Sequence, residues 1–448
     1  MLKAIFSLAG PLVIGQISFA LMGLIDTLLM GRLGVDVLAG GGLGAVVYQF
    51  FYIVGIGALV ATANMVAFAK GSGNQSEIHR AVLSGSLLVV ILFVVFAFGL
   101  VNISPVLLFF GQLSELVFFA QSYLDLVLWA LLPAFGFILM RSLVVGLGNS
   151  RLILPISLIA AVSNYPVSLV LMEGYLGFPK MGLEGIALGT CIISWAMFLG
   201  LVFLSYRRDE FKGFPFWKGW QNFSLSQFLE TLRLGLPIAL AHAMEVGMFS
   251  AAAIMIGWLG ATALAAHHVA LQAATLSFMV PLGISQAVSV KVGELYGQNA
   301  VGQVPQAVGS GFVLALVSAC FAAIIFIFAP ETLVQLFVQK EQLLAENYQE
   351  FVQLVASILL VAAIFQVVDA WQVISMGALR GFKLGASPTL AAIISYWCVG
   401  MPISYFLLEP YGAVGVWGGM GVGLAVSALV LSALLFREVR RHKSMQSH

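Results

Sequence analysis

The chain has 448 residues, of which 61% are hydrophobic and only 9% charged, and its 20 Lys and Arg against 19 Asp and Glu leave a net charge of +1. Soluble domains carry roughly 25% charged residues, so this chain has too little polar surface to cover itself in water. Composition therefore excludes a soluble enzyme, a secreted disulfide scaffold, a nucleic-acid binder and a disordered polymer, and points to an integral membrane protein.

In chain order, Met-Leu-Lys runs straight into a long apolar segment that no small-residue cleavage site ends, which reads as a retained first helix. A crossing needs roughly 20 apolar residues, and polar breaks divide the chain into twelve such runs. They cover 4–31, 44–69, 82–110, 118–147, 153–173, 184–206, 231–258, 264–290, 307–329, 347–378, 387–408 and 413–436. The runs are too long and continuous for barrel strands, so the expected fold is all-α with twelve transmembrane helices. Basic residues collect on the cytoplasmic side of a membrane. With the N-terminus inside, 17 of the 20 fall on the inner side and three, Arg32, Lys180 and Lys340, on the outer. Both termini are then cytoplasmic. The three cysteines, Cys191, Cys320 and Cys398, sit in apolar runs and read as an odd, buried set with neither disulfide nor metal role.

One long polar interruption, Tyr206 to Glu230, contains R-R-D-E and K-G-F-P-F-W-K-G-W, whose rings suit an anchor on the inner leaflet. It divides the chain into a six-helix bundle over 1–206, a linker over 207–230, a second bundle over 231–436 and a basic tail over 437–448. The halves resemble each other at an offset of 226: Pro11 meets Pro237, Met22 meets Met248, Leu33-Gly34 meets Leu259-Gly260 and Gly57 meets Gly283. Beyond about 75 residues, the match weakens and shifts to 233 at Gly148 and Pro155. An even number of spans gives both halves the same direction, and the pseudo-two-fold axis lies along the membrane normal, as in parallel-repeat transporters. Such bundles form a cleft that opens to alternate sides. The plainer reading is a duplication kept for packing.

Three carboxylates fall inside spans: Asp26, Glu245 and Asp369. A carboxylate at mid-bilayer costs about 2.5–3.5 kcal/mol, so each should face a wet or protein-lined cavity. By helix rise, Glu245 lies roughly 18 Å and Asp369 roughly 16 Å from the inner surface, near the midplane, while Asp26 lies roughly 9 Å below the outer one. His242 and Phe249 share a face with Glu245, as Phe365, Gln366 and Gln372 do with Asp369, and Met22 and Met30 flank Asp26. Carboxylate with rings and thioethers suits an organic cation. Taken alone, Asp26 also reads as a structural hydrogen-bonding group, His242 as a packed histidine, Asp125 as a solvated residue near an outer helix end, and the Met and Phe positions as core or lipid-facing. Pro11 and Pro237, at equivalent places on the helices of Asp26 and Glu245, are candidate hinges. No G-x-x-x-x-G-K-[ST] occurs, which leaves an ion gradient to drive any uphill step, and no spacing suggests a structural metal site.

The stretches E-V-G-M-F-S … A-A-H-H-V-A-L-Q (Glu245–Gln272), D-A-W-Q-V-I-S-M-G-A-L-R-G-F (Asp369–Phe382) and D-T-L-L-M-G-R-L-G (Asp26–Gly34) resemble the multidrug and toxic compound extrusion transporters, nearest the NorM-type branch. The resemblance covers essentially the whole chain. It implies a non-enzymatic, cofactor-free antiporter of the bacterial cytoplasmic (inner) membrane. Such an antiporter acts as a monomer, with no nucleic-acid partner, and exports hydrophobic, often cationic drugs and dyes in exchange for Na+ or H+. It also implies coupling-cation binding at Glu245 and Asp369, and a first-half cation or drug site at Asp26, to which Asn164 and Thr190 correspond. Ser168 stands where the related DinF-type branch has an aspartate, so the first half holds one acid. The rival is a lipid-linked oligosaccharide flippase of the same architecture. Its phosphate-bearing substrate wants a basic cavity, and no basic residue other than Arg141 lies deep in a span.

Overall fold

The computed structural model describes residues 1–336 and 345–446. Fifteen α-helices make up almost all of it: α1 (Leu2–Arg32), α2 (Val35–Gly71), α3 (Gln75–Val101), α4 (Ile103–Phe109), α5 (Ser114–Gly146), α6 (Ile153–Glu173), α7 (Leu183–Tyr206), α8 (Asp209–Lys212), α9 (Leu225–Gly257), α10 (Ala261–Gly297), α11 (Val304–Phe328), α12 (Pro330–Gln335), α13 (Ala345–Gly381), α14 (Ala386–Ile393) and α15 (Met401–Gln446). A π-helical turn, Ile394–Gly400, joins the last two. Among the described residues, eleven helical runs are long and apolar enough to cross a bilayer. The last run, Ala386–His442, has 57 residues, roughly 85 Å at helical rise. That exceeds one crossing, and the run breaks at Gly412 (φ 57°, ψ −139°) into two helices. The expected twelve spans are therefore present.

Boundaries moved where caps decide them. The third span, expected over 82–110, runs Gln75–Val101. The Asn74 side chain accepts from the Glu77 backbone N–H and its amide donates to the Glu77 carboxylate at 2.9 Å, starting the helix seven residues early. The residues after Asn102 form the separate short helix α4. Lys340, expected on the outer side, lies outside the described residues, as do 447–448 of the expected tail. The rest of that tail continues α15 as helix through Gln446.

The repeat is written in the backbone. Helices α2 and α10 each have 37 residues, and their first residues, 35 and 261, are 226 apart. Each is preceded by a glycine in the same rare conformation, Gly34 at φ 124°, ψ 167° and Gly260 at φ 110°, ψ 172°. That region is essentially closed to residues with a Cβ, which explains why Leu-Gly recurs at both turns.

Packing groups Ile14–Ala239 into one compact unit and Met1–Val13 with Leu240–His448 into another. Both dividing points fall two residues after a proline, Pro11 or Pro237, and so inside the first long helix of each half. The physical reason is close helix approach. In one unit Ala61 of α2 clusters with Leu234 and Ile238 of α9, and a Cβ on Gly235 would strike the Ala58 backbone. In the other, a Cβ on Gly283 of α10 would strike Val13 of α1. Within the first unit, α5 is the central helix, against α2, α3 and α7; within the second it is α13, against α10, α11 and α15. Phe98, Val162, Phe328 and Phe406 stand exposed on the outside, as a hydrocarbon surround requires.

Two expectations need correction. Cys191 is buried, but Cys320 and Cys398 are exposed, because an apolar run marks lipid contact as readily as protein core. In the linker, Trp217 and Trp220 are exposed as an anchor would be, whereas Phe211 and Phe214 are buried. The segment is tied down locally: the Tyr206 hydroxyl donates to the Phe214 carbonyl at 2.9 Å, and His79 Nε2 lies 3.1 Å from the Pro215 carbonyl.

Candidate functional site

Each unit builds its own carboxylate site. In the Ile14–Ala239 unit, Asp26 of α1 is 6% exposed. Thr190 Oγ1 of α7 donates to its Oδ2 at 2.6 Å, Asn164 of α6 adjoins the same carboxyl, and Oδ1 is buried with no hydrogen-bond partner. The helices meet closely because α7 carries Gly189 beside Thr190; a Cβ there would collide with the Ser168 hydroxyl of α6. Met22 packs with Ala160 and Ile193, and Met30 is fully buried. Both thioethers thus pack within the protein, one turn to either side of Asp26 along α1.

Sequence reading overlooked the tyrosines of this site. Tyr48 and Tyr52 of α2 and Tyr123 of α5 are buried, with Tyr48 and Tyr123 in the electrostatic range of Asp26. Phe19 stacks on Tyr52 with ring centroids 4.5 Å apart, and Tyr52 on Tyr48 at 6.2 Å. The i,i+4 spacing of two tyrosines within one span was the available signal, since a buried phenol needs a polar partner.

In the other unit, Asp369 of α13 is 5% exposed, and its Oδ1 is likewise buried without a hydrogen-bond partner. Glu245 of α9 is in its electrostatic range, with a side chain 27% exposed and His242 Nδ1 3.6 Å from its Oε2. Gln366 donates to the Ala274 carbonyl of α10 at 3.1 Å, and Gln372 donates to the Tyr396 hydroxyl at 2.8 Å. Phe249 and Phe365 meet with centroids 6.2 Å apart. All the expected second-half residues are therefore gathered in one unit.

Trp417, His267 and Tyr396 were not anticipated. Phe365 lies 5.4 Å, centroid to centroid, from the fully buried Trp417, whose indole donates to His267 Nδ1 at 3.1 Å. Tyr396 rides on the π-helical turn, a form that clusters at functional sites and that no residue pattern announces. Arg380, placed by sequence on the inner side, occupies the last turn of α13, is buried and lies in the electrostatic range of Glu245.

The chemistry available is acceptance. A buried carboxyl oxygen with no donor carries an uncompensated desolvation cost, which a bound cation or a proton removes. Among the described residues no cluster of His, Cys, Asp and Glu has the grouping of a structural metal centre.

The MatE family model matches this chain twice, over residues 11–170 and 237–406. The two matches start 226 residues apart (237 − 11), the offset of the repeat. A relative described as a probable multidrug resistance protein NorM, from Pseudomonas putida, is 39% identical over 96% of this chain and 93% of its own length. One of the same description from Pseudomonas aeruginosa is 35% identical over 96% and 88%. A crystal structure of a MATE protein in complex with MaL6 superposes with a TM-score of 0.87 at 22% identity, covering 99% of this chain and 97% of the other. The chain is a member of the multidrug and toxic compound extrusion (MatE) family, alongside these NorM relatives.

Proposed function

We infer that the chain is a secondary multidrug efflux antiporter, exporting hydrophobic, often cationic compounds in exchange for Na+ or H+. One observation carries the ionic part. Each unit buries one carboxyl oxygen, Asp26 Oδ1 and Asp369 Oδ1, that no donor satisfies. Glu245 and Asp369 bind the coupling cation. Asp26, with Thr190 and Asn164, forms the second site, for cation or drug. Phe249, partly exposed and backed by the buried Phe365 and Trp417, offers a ring face to a substrate's apolar body and charge.

Coupling is competition. Two positive ligands cannot both be neutralised by the same few carboxylates, so ion binding lowers drug affinity and drug binding lowers ion affinity by the same factor. A helix bend near Pro11 and Pro237 is the proposed means by which charge state changes which side each site faces. The protein works as a monomer in the bacterial cytoplasmic membrane, both termini inside, without enzymatic chemistry or a cofactor.

The test uses purified protein in vesicles loaded with ethidium. A Na+ gradient and then a pH gradient are imposed while dye efflux is followed. Efflux driven by one of them is the expected result; efflux indifferent to both removes antiport. Glu245→Gln and Asp369→Asn should each abolish gradient-driven efflux at normal expression, and wild-type drug resistance in both variants would overturn the site assignment.

A further inference from the structure

The Ile14–Ala239 unit also carries a groove that none of the residues around Asp26 lines. The groove, of about 510 Å³, opens between α3 and α5, lined by Phe93, Val94, Phe98 and Asn102 on one side and Asp125 and Trp129 on the other. Its volume is that of small-molecule pockets, roughly 300–1,000 Å³. Its walls are exposed apolar side chains, with Phe98 74% and Trp129 56% accessible, so in a membrane the groove is filled from the hydrocarbon.

The groove is polar at one end only. Asn102 is 22 residues beyond Arg80 (102 − 80), roughly 33 Å along α3. That is about the thickness of the hydrocarbon core, which puts Asn102 at the membrane boundary opposite Arg80, with Asp125, one turn past the Gln121 that donates to the Leu100 carbonyl, just inside it. Phe93, nine residues nearer Arg80 (102 − 93), lies roughly 13 Å deeper. The groove thus has the polarity of an amphiphile, head at the boundary and body in the core.

Its polar end is a carboxyl group held in place. Gln121 Nε2 donates to Asp125 Oδ1 at 2.6 Å, and Gln121 is itself oriented by the Ser104 hydroxyl, which donates to its Oε1 at 2.7 Å. Asp125 Oδ2 remains open, and among the described residues no Lys, Arg or His pairs with Asp125. Sequence position suggests a solvated residue, and Asp125 is exposed; it stands four residues before Trp129, whose ring lies 6.0 Å from that of Phe93, centroid to centroid.

We propose that this groove binds lipophilic organic monocations from the bilayer, the ammonium on Asp125 and the apolar body against Phe93, Phe98 and Trp129. Carboxylate plus ring faces match a cation with a hydrophobic body. A phospholipid fits less well, because a phosphate wants Arg or Lys and the groove has neither. The site rests on the substrate class inferred above, and would gather those substrates at the membrane face.

The experiment uses the full chain in phosphatidylcholine nanodiscs without any gradient, photolabelled with a dodecyltrimethylammonium carrying a chain diazirine. A dodecanol with the same diazirine and a diazirine phosphatidylethanolamine are the comparison probes. The ammonium probe should label the 93–102 and 125–129 segments about tenfold more than the alcohol, and Asp125→Asn should remove that preference. Equal labelling by ammonium and alcohol on the wild-type chain would overturn the proposal, even if the variant failed to fold. So would undiminished labelling of a folded Asp125→Asn, or preferential labelling by the phosphatidylethanolamine probe. Labelling is an equilibrium measurement, so an absence of gradient-driven efflux leaves it untouched. Unlabelled grooves in a chain that still exports ethidium would sink this site alone.

Discussion

The bond from Thr190 to Asp26 ties α7 to α1, and its strength can be set in advance. Interhelical hydrogen bonds in membrane proteins average about 0.6 kcal/mol, with a maximum near 1.7. The oxygens here are 2.6 Å apart, within the ~2.5–2.7 Å range of hydroxyl-to-carboxylate bonds, which are roughly twice as strong as neutral ones. Both groups are buried, and Asp26 Oδ1 accepts no hydrogen bond of its own. The expected coupling energy is therefore about 1.2–1.7 kcal/mol, twice the mean and bounded by the largest measured case. A double-mutant cycle measures it: wild type, Asp26→Ala, Thr190→Val and the pair, each unfolded in bicelles. Thr190→Val keeps shape and removes the donor, whereas Thr190→Ser keeps the donor and should stay close to wild type in stability and ethidium efflux. A coupling no larger than the ~0.3–0.5 kcal/mol scatter of independent sites, or a Ser variant as damaged as the Val variant, would refute the reasoning.

Gly34→Ala and Gly260→Ala should each destabilise by about 1–3 kcal/mol, since both backbones occupy a region closed to a Cβ; matched losses in thermal unfolding would bear out the repeat, and no loss in either would contradict it. Gly189→Ala should cost about 1–3 kcal/mol through its clash with Ser168, and Ser168→Gly in the same chain should recover part of that in the unfolding midpoint. Trp417→Phe removes the donor to the buried His267 and should cost about 1–3 kcal/mol, read by chemical unfolding; an unchanged midpoint would mean that His267 finds another partner.

Much of the site was legible because burying a charge in a bilayer is expensive. Asp26, Glu245 and Asp369 stand out in any chain with so few charges, and Thr190 and Asn164 followed from the family resemblance. The tyrosines, Trp417 and His267 did not stand out, since aromatic residues inside spans look alike whether they face lipid, core or a carboxylate. Tyr396 depends on a π-helical turn, which follows from packing and not from local residue preference. Asp125 lay in plain view, but its meaning came from the groove formed by α3 beside it.

By itself the sequence determined the solvent, the twelve crossings, the two-fold repetition and the positions of the intramembrane acids, because each follows from periodicity and from the cost of charge in hydrocarbon, both local along the chain. Only the tertiary structure decided which oxygens lack a donor, that Met22 and Met30 pack as core, and that Cys320 and Cys398 face outward. It also decided that the compact units part inside α1 and α9, two residues past their prolines. These features depend on which helix faces lie together, and in an apolar chain a face turned to lipid and a face turned to protein are written in the same residues.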